Sequence, residues 1–234
     1  HFQFTHHDIW DRDPPAPPNL LTVERNGARI PAVAQITKQG YVYLFNRLTG
    51  EPLFDIEEVP VPPSKLAGES AWPTQPIPVK PKPFARQAQD LSADDISPYA
   101  PNPEELRDQL MAADRRRYAP PDTTAVLLLP GYDGGAEWGG AGADPDNGIL
   151  YVNANEMAWL LQMEQPEDVS DLSAGEQVYQ RNCAVCHQSD LSGMPASGYP
   201  SLVDIGLRKK ASEIRELIAK GKGMRSEERR VGKE

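Results

Sequence analysis

The chain has 234 residues, with 24 Lys or Arg against 34 Asp or Glu, and its formal net charge of -10 argues against nucleic acid or an anionic membrane as the main partner. With 24 Pro and 18 Gly the chain is interrupted too often to form a bundle of long helices. Its longest apolar run, 125–129, is far shorter than the roughly 20 residues of a membrane span, so we expect no membrane-spanning segment.

Residues 28–46 alternate between apolar and other side chains in the way typical of strands, and the Gln39-Gly40 pair predicts a turn between them. This stretch predicts a β-hairpin, followed by a further strand at 52–56. Residues 125–129 predict a short buried strand, and 149–153 predict the strand that returns after a turn. Short hairpins that need neighbours to bury their faces favour a β-sandwich or a β-propeller.

Residues 59–84 contain eight prolines, which predicts an extended, polyproline-like connector without ladder hydrogen bonds. A helix is predicted to begin near Pro103, with Arg115–Arg117 at its end. Beyond Glu164 the pattern changes: 173–182 predicts a helix opened by a capping box, and about 211–220 predicts an amphipathic helix. The second region therefore predicts a small all-α domain.

Both cysteines lie in the sequence Cys183-Ala184-Val185-Cys186-His187. This spacing is typical of c-type haem attachment, with two thioether bonds and the adjacent imidazole as an axial iron ligand. Three alternatives compete with it: a redox dithiol, which would need a βαβ context; a zinc site, which would need a second ligand pair; and a disulfide, which leaves His187 unexplained.

The region around this motif resembles small bacterial cytochromes c. The resemblance implies that Pro200, in the loop 193–202, offers its carbonyl to His187. It also implies a methionine as the distal iron ligand. Met224 is the candidate, with a weaker one in Met194 because its loop lies on the proximal side; a side chain that only fills the core is the alternative for Met224.

Three stretches together resemble the quinoprotein glucose dehydrogenases, which use pyrroloquinoline quinone (PQQ). They are 6–13 (HHDIWDRD), 31–40 with 46–54 (NRLTGEPLF), and 130–140 (PGYDGGAEWGG) followed by 144–145 and 151–157. Residues 58–75 continue the match. The resemblance covers about residues 1–160. It implies a β-propeller with the quinone at its central channel, and some family members insert a cytochrome c domain after this region.

Within that resemblance Asp11 would be the general base that removes the hydroxyl proton of the substrate, and Lys38 would bind the quinone oxygens. Glu137 and Trp138 would make further cofactor contacts. Each residue has a plainer alternative: a solvated acidic loop for Asp11, a hairpin-turn charge for Lys38, and core packing for Trp138.

The sequence therefore predicts a mainly β protein: a partial PQQ-dehydrogenase β-propeller at 1–164, including the connector at about 59–84, and a small all-α, truncated cytochrome c domain at 165–224. Residues 225–234 resemble translated sequencing adaptor, the alternative being a solvated charged tail. A blade takes about 40–45 residues, so about 160 residues are too few to close a propeller. We expect an internal fragment, inactive alone, of a periplasmic or outer-face quinohaemoprotein dehydrogenase.

The parent protein would oxidise a sugar or an alcohol and pass electrons through haem c to a quinone or cytochrome acceptor. Its calcium ligands are expected in sequence upstream of His1. The main rival interpretation is an electron-transfer cytochrome on a non-catalytic propeller scaffold. A cytochrome joined to an unrelated β domain would require the spacing from Trp10-Asp11 to Lys38 to be a coincidence.

Overall fold

The computed structural model describes residues 1–164 and 168–221, and the chain divides into two units, His1–Gln165 and Pro166–Glu234. The described part of the first unit is mainly β and contains one α-helix, α1 (Pro103–Ala112). Its strands are β1 (Asn19–Arg25), β2 (Ala28–Ile36), β3 (Val42–Asn46), β4 (Ile56–Pro60), β5 (Thr74–Pro78), β6 (Val126–Leu128), β7 (Ala141–Asp144), β8 (Ile149–Val152) and β9 (Trp159–Leu161). These strands form one three-stranded and three two-stranded antiparallel sheets, and none of the described sheets closes on itself.

The three-stranded sheet contains the predicted hairpin, because β2 pairs antiparallel with β3 around the turn at Gln39-Gly40. Strand β1, which the sequence pattern did not predict, pairs with β2 across its whole length. The connection is Asn26-Gly27, where both residues have positive φ, 53° and 76°. Two central residues with positive φ are what a tight hairpin turn requires, so Asn-Gly was a usable signal.

The proline-rich stretch is not a strandless connector, because β4 and β5 pair within it. In this ladder Pro78 lies opposite Ile56, Pro76 opposite Glu58 and Pro60 opposite Thr74, so the prolines occupy alternate pairs. The pairs that alternate with these carry the hydrogen bonds. Two examples are Val61 N, which donates to Pro73 O at 3.0 Å, and Val79 N, which donates to Asp55 O at 3.0 Å. Within β4 and β5, proline therefore occupies only positions that need no N–H toward the partner strand.

Two further predictions about strands were wrong in detail. The strand predicted at 52–56 begins only at Ile56, and Pro52 makes an isolated bridge to Phe45. The predicted strand at 149–153 is present as β8, but its partner is β7, and β6 pairs instead with β9. Period-2 patterns identify strands, whereas pairing depends on contacts between distant segments.

The core of the first unit consists of separate apolar clusters beneath these sheets. One contains Trp10, which is 1% exposed and packs with Val126 and Leu128 of β6. The helix α1 ends at Ala112, so Arg115–Arg117 lie beyond it in a turn, contrary to the sequence prediction. This turn contacts the segment that contains Trp10, since Trp10 Nε1 donates to Ala119 O at 2.9 Å.

The described part of the second unit is helical. It contains α2 (Ala174–Asn182), α3 (Ala184–His187), α4 (Ile205–Arg208) and α5 (Ala211–Lys220). The capping box predicted for α2 is present: Ser173 N donates to Glu176 Oε2 at 3.0 Å, and Glu176 N donates to Ser173 Oγ at 3.4 Å. Among residues 168–221 no side chain is fully buried, so this unit has no apolar core of its own.

Candidate functional site

The first candidate site is formed by the loop before β1. The carboxylate of Asp8 accepts the backbone N–H groups of Trp10 at 2.9 Å and of Arg12, and this closes a tight turn around Asp11. Asp11 has φ 58°, in the left-handed region that Asp and Asn tolerate better than most residues. With Trp10 buried, the loop is anchored at one side and projects the Asp11 carboxylate outward, where its side chain is 60% exposed.

Lys38 lies in the turn between β2 and β3. The turn is closed by Gly40 N donating to Thr37 O at 3.0 Å, and Gly40 has φ 85° with the Ala85 side chain against it. This places Lys38 against the Asp11 loop: its Nζ lies 2.9 Å from Asp11 Oδ2 and 3.0 Å from Asp13 Oδ1. The predicted pair Asp11 and Lys38, 27 residues apart in sequence, is therefore in direct contact.

The electrostatics of this group follow from its burial. The Lys38 side chain is only 10% exposed, and burial alone would lower its pKa. The hydrogen bonds from Asp11 and Asp13 outweigh that effect and hold the pKa of Lys38 above its usual value of 10.5. Lys38 is thus a fixed cation at neutral pH, with two carboxylates facing solvent beside it.

Glu137 approaches this group from the loop after β6. Burial raises the pKa of Glu137 above its usual value, while the charge of Lys38 acts in the opposite direction. The approach depends on Gly134, with φ 74°, where a Cβ would lie 2.5 Å from Lys38 Cγ and 2.8 Å from Glu137 Oε1. Trp138 is 80% exposed, so the core-packing alternative for it is wrong.

Asp13 is the member of this group that the sequence analysis did not single out. Its pairing with Lys38 depends on the turn at Asp11, where φ is 58°, so the spacing of the two aspartates alone gave no signal for it. A second missed contact joins Trp159 Nε1 of β9 to Asp133 Oδ2 at 2.6 Å, close in sequence to Gly134 and Glu137.

The second candidate site lies in the helical unit. Both Cys183 and Cys186 are free thiols and half-buried, at the junction of α2 and α3. The predicted contact of His187 is present, since its Nδ1 lies 2.9 Å from the carbonyl oxygen of Pro200. A carbonyl only accepts, so Nδ1 carries the proton and Nε2 keeps its lone pair for a metal.

The loop that supplies Pro200 is fixed against His187. Gly193 N donates to His187 O at 2.9 Å, and Gly193 has φ 71° with the Pro200 carbonyl 2.6 Å from where a Cβ would lie. Met194 pairs through its backbone with Tyr199 in this same loop, on the side of His187. Met224 and residues 225–234 lie outside the described residues, so the distal ligand and the adaptor-like tail stay predictions.

The helical unit fits a haem. Several apolar side chains of this unit are exposed, including Val178, Val185, Leu207 and Ile218. A domain this small rarely folds on a core of its own and commonly uses a metal or cofactor. The two free thiols, the imidazole Nε2 and the uncovered apolar side chains are the parts that a covalently attached macrocycle would use.

The described residues contain neither a cluster of metal-binding side chains nor a membrane-spanning helix. No group of three or more His, Cys, Asp or Glu there is arranged to hold a metal ion, so no calcium ligand is identified within 1–164 or 168–221. No helix in these same ranges is long and apolar enough to span a bilayer.

Comparison with known proteins matches both regions. The family described as Glucose/ethanol/alcohol dehydrogenase, beta-propeller domain matches residues 1–200, and the family described as Cytochrome C oxidase, cbb3-type, subunit III matches residues 170–232. No solved structure gives a significant match.

Three curated relatives illustrate the similarity. A probable quinate dehydrogenase (quinone) from Xanthomonas campestris pv. juglandis is 33% identical over 170 residues, which are 69% of this chain and 21% of the relative. The quinoprotein glucose dehydrogenase of Escherichia coli (strain K12) is 31% identical over 183 residues, 71% of this chain and 22% of that protein. A quinate/shikimate dehydrogenase (quinone) from Acinetobacter baylyi is 29% identical over 214 residues, which are 87% of this chain and 24% of that protein. The chain spans about a fifth of the length of these relatives.

Proposed function

Because the chain belongs to the family of PQQ-dependent glucose, ethanol and alcohol dehydrogenases, we propose that it is part of a quinohaemoprotein dehydrogenase that oxidises a sugar or an alcohol. Residues 1–164 would contribute part of the β-propeller, and 165–224 would form a c-type cytochrome domain. The observation that carries the proposal is the contact of Lys38 Nζ with Asp11 Oδ2 at 2.9 Å, because it brings together a base and a cation from distant segments.

Asp11 is the proposed general base. Its carboxylate is 60% exposed, so one oxygen can accept the hydroxyl proton of a substrate while Oδ2 remains bonded to Lys38. When bound, PQQ would supply the redox chemistry by accepting the carbon-bound hydrogen of the substrate together with its two electrons. The proton thus goes to Asp11, and the electron pair leaves the substrate carbon.

Lys38 is the proposed contact for the quinone oxygens. Its site fits such a group, because the ammonium is fixed by two carboxylates and stays protonated at neutral pH. A fixed cation stabilises oxygens that become electron-rich on reduction. Glu137, held near Lys38 by the close approach at Gly134, and the exposed Trp138 are proposed as further contacts of the bound quinone.

The helical unit is proposed to carry haem c. Cys183 and Cys186 would form the thioether bonds, and His187 Nε2 would bind the iron on the proximal side while Nδ1 donates to Pro200. Met224 is proposed as the distal ligand. A neighbouring one-electron carrier would accept electrons from the quinone site and pass them to a quinone or cytochrome acceptor.

Two consequences follow for the parent protein. Covalent haem attachment takes place outside the bacterial cytoplasm, so we place the protein in the periplasm or on the outer face of the cytoplasmic membrane. Calcium, if the parent uses it, would be bound by residues beyond those described in this chain. The isolated chain should show no turnover with PQQ and calcium, and measurable turnover would refute that expectation.

Quinone binding by the full-length gene product tests the first half of the proposal. PQQ binding, followed through quenching of tryptophan fluorescence, should weaken at least tenfold in Lys38→Ala. Lys65→Ala is the matched control, because Lys65 pairs with Asp122 at 2.9 Å on an exposed surface and should not affect binding. Equal affinity of the wild type, Lys38→Ala and Lys65→Ala would contradict the assignment.

Haem attachment tests the second half. Export of the chain to a periplasm with a cytochrome c maturation system should give a haem that resists acid-acetone extraction. Cys183→Ala combined with Cys186→Ala should release it. A full-length gene product that binds haem but no PQQ would instead support the rival interpretation, an electron-transfer cytochrome on a non-catalytic propeller scaffold.

A further inference from the structure

A small cavity lies beneath the Asp11 loop, against Trp10 and Arg12, the residues on either side of Asp11. Its volume is about 30 Å³. The cavity lies where the loop meets the turn after α1, the 3-10 turn near Ala88 and the end of β6. The polar side chains that line it include Arg12, Gln39, Gln87, Arg116, Arg117 and Tyr118.

Three unsatisfied polar atoms belong to residues that line this cavity. They are Gln39 Oε1, Arg117 Nε and Tyr118 Oη, buried atoms without a well-formed hydrogen bond. Gln39 lies close enough to Tyr118 to interact with its hydroxyl, so Arg117 Nε is the atom of the three with no neighbour of this kind. Only one other buried side-chain atom in the described residues, Asn19 Oδ1, has the same status. A buried polar group left unpaired costs about 1–3 kcal/mol, so Arg117 Nε, beside the incompletely bonded Gln39 and Tyr118, indicates an occupant of the cavity.

The charge in this region is also unbalanced. Arg12 is 6% exposed, and its Nη1 reaches only Gly131 O, at 3.4 Å. Within the described part of the chain, neither Arg12 nor Arg117 has a carboxylate within 4.0 Å, whereas the adjacent Arg116 pairs with Asp114. Burial lowers the pKa of Arg12, and the field of the nearby Asp8 opposes that effect. A guanidinium does not lose its proton in a protein, so the charge needs a counter-ion.

The volume of the cavity and its hydrogen-bond donors indicate which occupant fits. A volume of about 30 Å³ accommodates one or two water-sized particles. The Gln39 amide can also point a donor into the cavity. Its Nε2 lies 2.6 Å from the Thr5 hydroxyl, and a hydroxyl can donate as well as accept. If the amide is rotated by half a turn, Thr5 donates to Oε1 and Nε2 faces the cavity. The cavity would then present guanidinium, hydroxyl and amide donors and no carboxylate.

We propose that this cavity binds one small monovalent anion of chloride size, held by Arg12, Arg117, Tyr118 and Gln39. None of these four residues is among those proposed to bind the quinone or the haem. Its bound anion would join the loop at Arg12 to the turn at Arg117 and Tyr118, beside the existing hydrogen bond of Trp10 to Ala119 O. Since Arg12 stands between Asp11 and Asp13, the anion would help to fix the loop that carries both carboxylates.

The first test is crystallographic and uses the wild-type chain. Crystals grown or soaked with sodium bromide and measured at the bromine absorption edge should show an anomalous peak in the cavity, within hydrogen-bond distance of Arg12 and Arg117. Density in the cavity without an anomalous peak would show that water alone fills it and would overturn the proposal. Peaks confined to the surface would overturn it as well.

The second test is thermal unfolding at constant ionic strength, with sodium chloride compared against sodium gluconate, whose anion is too large for the cavity. Saturating chloride should raise the Tm of the wild-type chain by about 3–5 °C. Arg117→Gln should lose that difference, and Arg116→Gln, whose guanidinium is already paired, should retain it. Equal Tm values for the wild type in both salts would overturn the proposal.

Discussion

The contact between Lys38 and its two carboxylates makes a quantitative prediction about stability. Asp11→Asn and Asp13→Asn each remove one negative charge and leave the other carboxylate about 3 Å from the ammonium. Asparagine is the suitable replacement at position 11 because it tolerates the left-handed φ of 58°. The double variant leaves Lys38, only 10% exposed, without an ion-paired carboxylate, and Glu137 then remains as a nearby acidic side chain.

The magnitudes follow from exposure. The Asp11 and Asp13 side chains are 60% and 52% exposed, so water screens each one, and a single substitution should cost about 0.5–1 kcal/mol. The double substitution leaves a largely buried ammonium unpaired and should cost about 3 kcal/mol. The cost of the double substitution should therefore exceed the sum of the two single costs by at least about 1 kcal/mol.

Urea unfolding followed by tryptophan fluorescence is a suitable assay, because the four tryptophans are Trp10, Trp72, Trp138 and Trp159, all in the first unit. The signal reports that unit alone. Adding Lys38→Met to the double variant should recover most of the lost stability, since it removes the unpaired charge. Additive single effects, or no recovery on adding Lys38→Met, would refute the reasoning.

Four further predictions concern neighbouring features. Gly134→Ala should cost about 1–3 kcal/mol in urea unfolding because of its φ of 74° and its approach to Lys38, whereas Gly139→Ala, which meets nothing within 4 Å, should be near neutral. Glu137→Gln should raise stability at pH 7 by ~0.5 kcal/mol or less, since a raised pKa makes the ionised form the less stable one, and the gain should vanish below the unfolded pKa of Glu137. The stability that Lys38 contributes should be fully present below the pKa of Lys38 in the unfolded chain and should be lost as pH rises through its higher pKa in the folded chain. The free energy of unfolding of the wild type and of Lys38→Met, compared above about pH 10.5, measures this loss. Ser173→Ala should cost about 1 kcal/mol of helix stability by circular dichroism, with exposed Ser189→Ala unchanged.

The parts of this fold that sequence could predict are those governed by local chemistry. The hairpin around Gln39-Gly40, the start of α1 at Pro103 and the capping box at Ser173 each depend on residues within a few positions. Local patterns failed where pairing is decided at a distance, as with β6, whose partner is β9, 31 residues beyond its end by number. They also failed to predict β5, because Pro76 lies at a ladder position where no N–H is needed for pairing.

The candidate sites show the same division. Cys183, Cys186 and His187 are adjacent in sequence, and their chemistry follows from spacing alone. The contact of Asp11 with Lys38 required the family resemblance, because two separate turns must meet to form it. Arg12 could not have been predicted as buried, since arginine is rarely buried without a partner and nothing local marks it as an exception.

The most direct test of the account is the turnover of the full-length gene product reconstituted with PQQ. In Asp11→Asn the kcat for the best sugar or alcohol substrate should fall by a factor of about 10² to 10⁴, as expected for loss of a general base. Haem content and PQQ affinity should stay unchanged, which separates the base from a folding effect. A kcat within threefold of the wild type would contradict the claim that Asp11 removes the substrate proton.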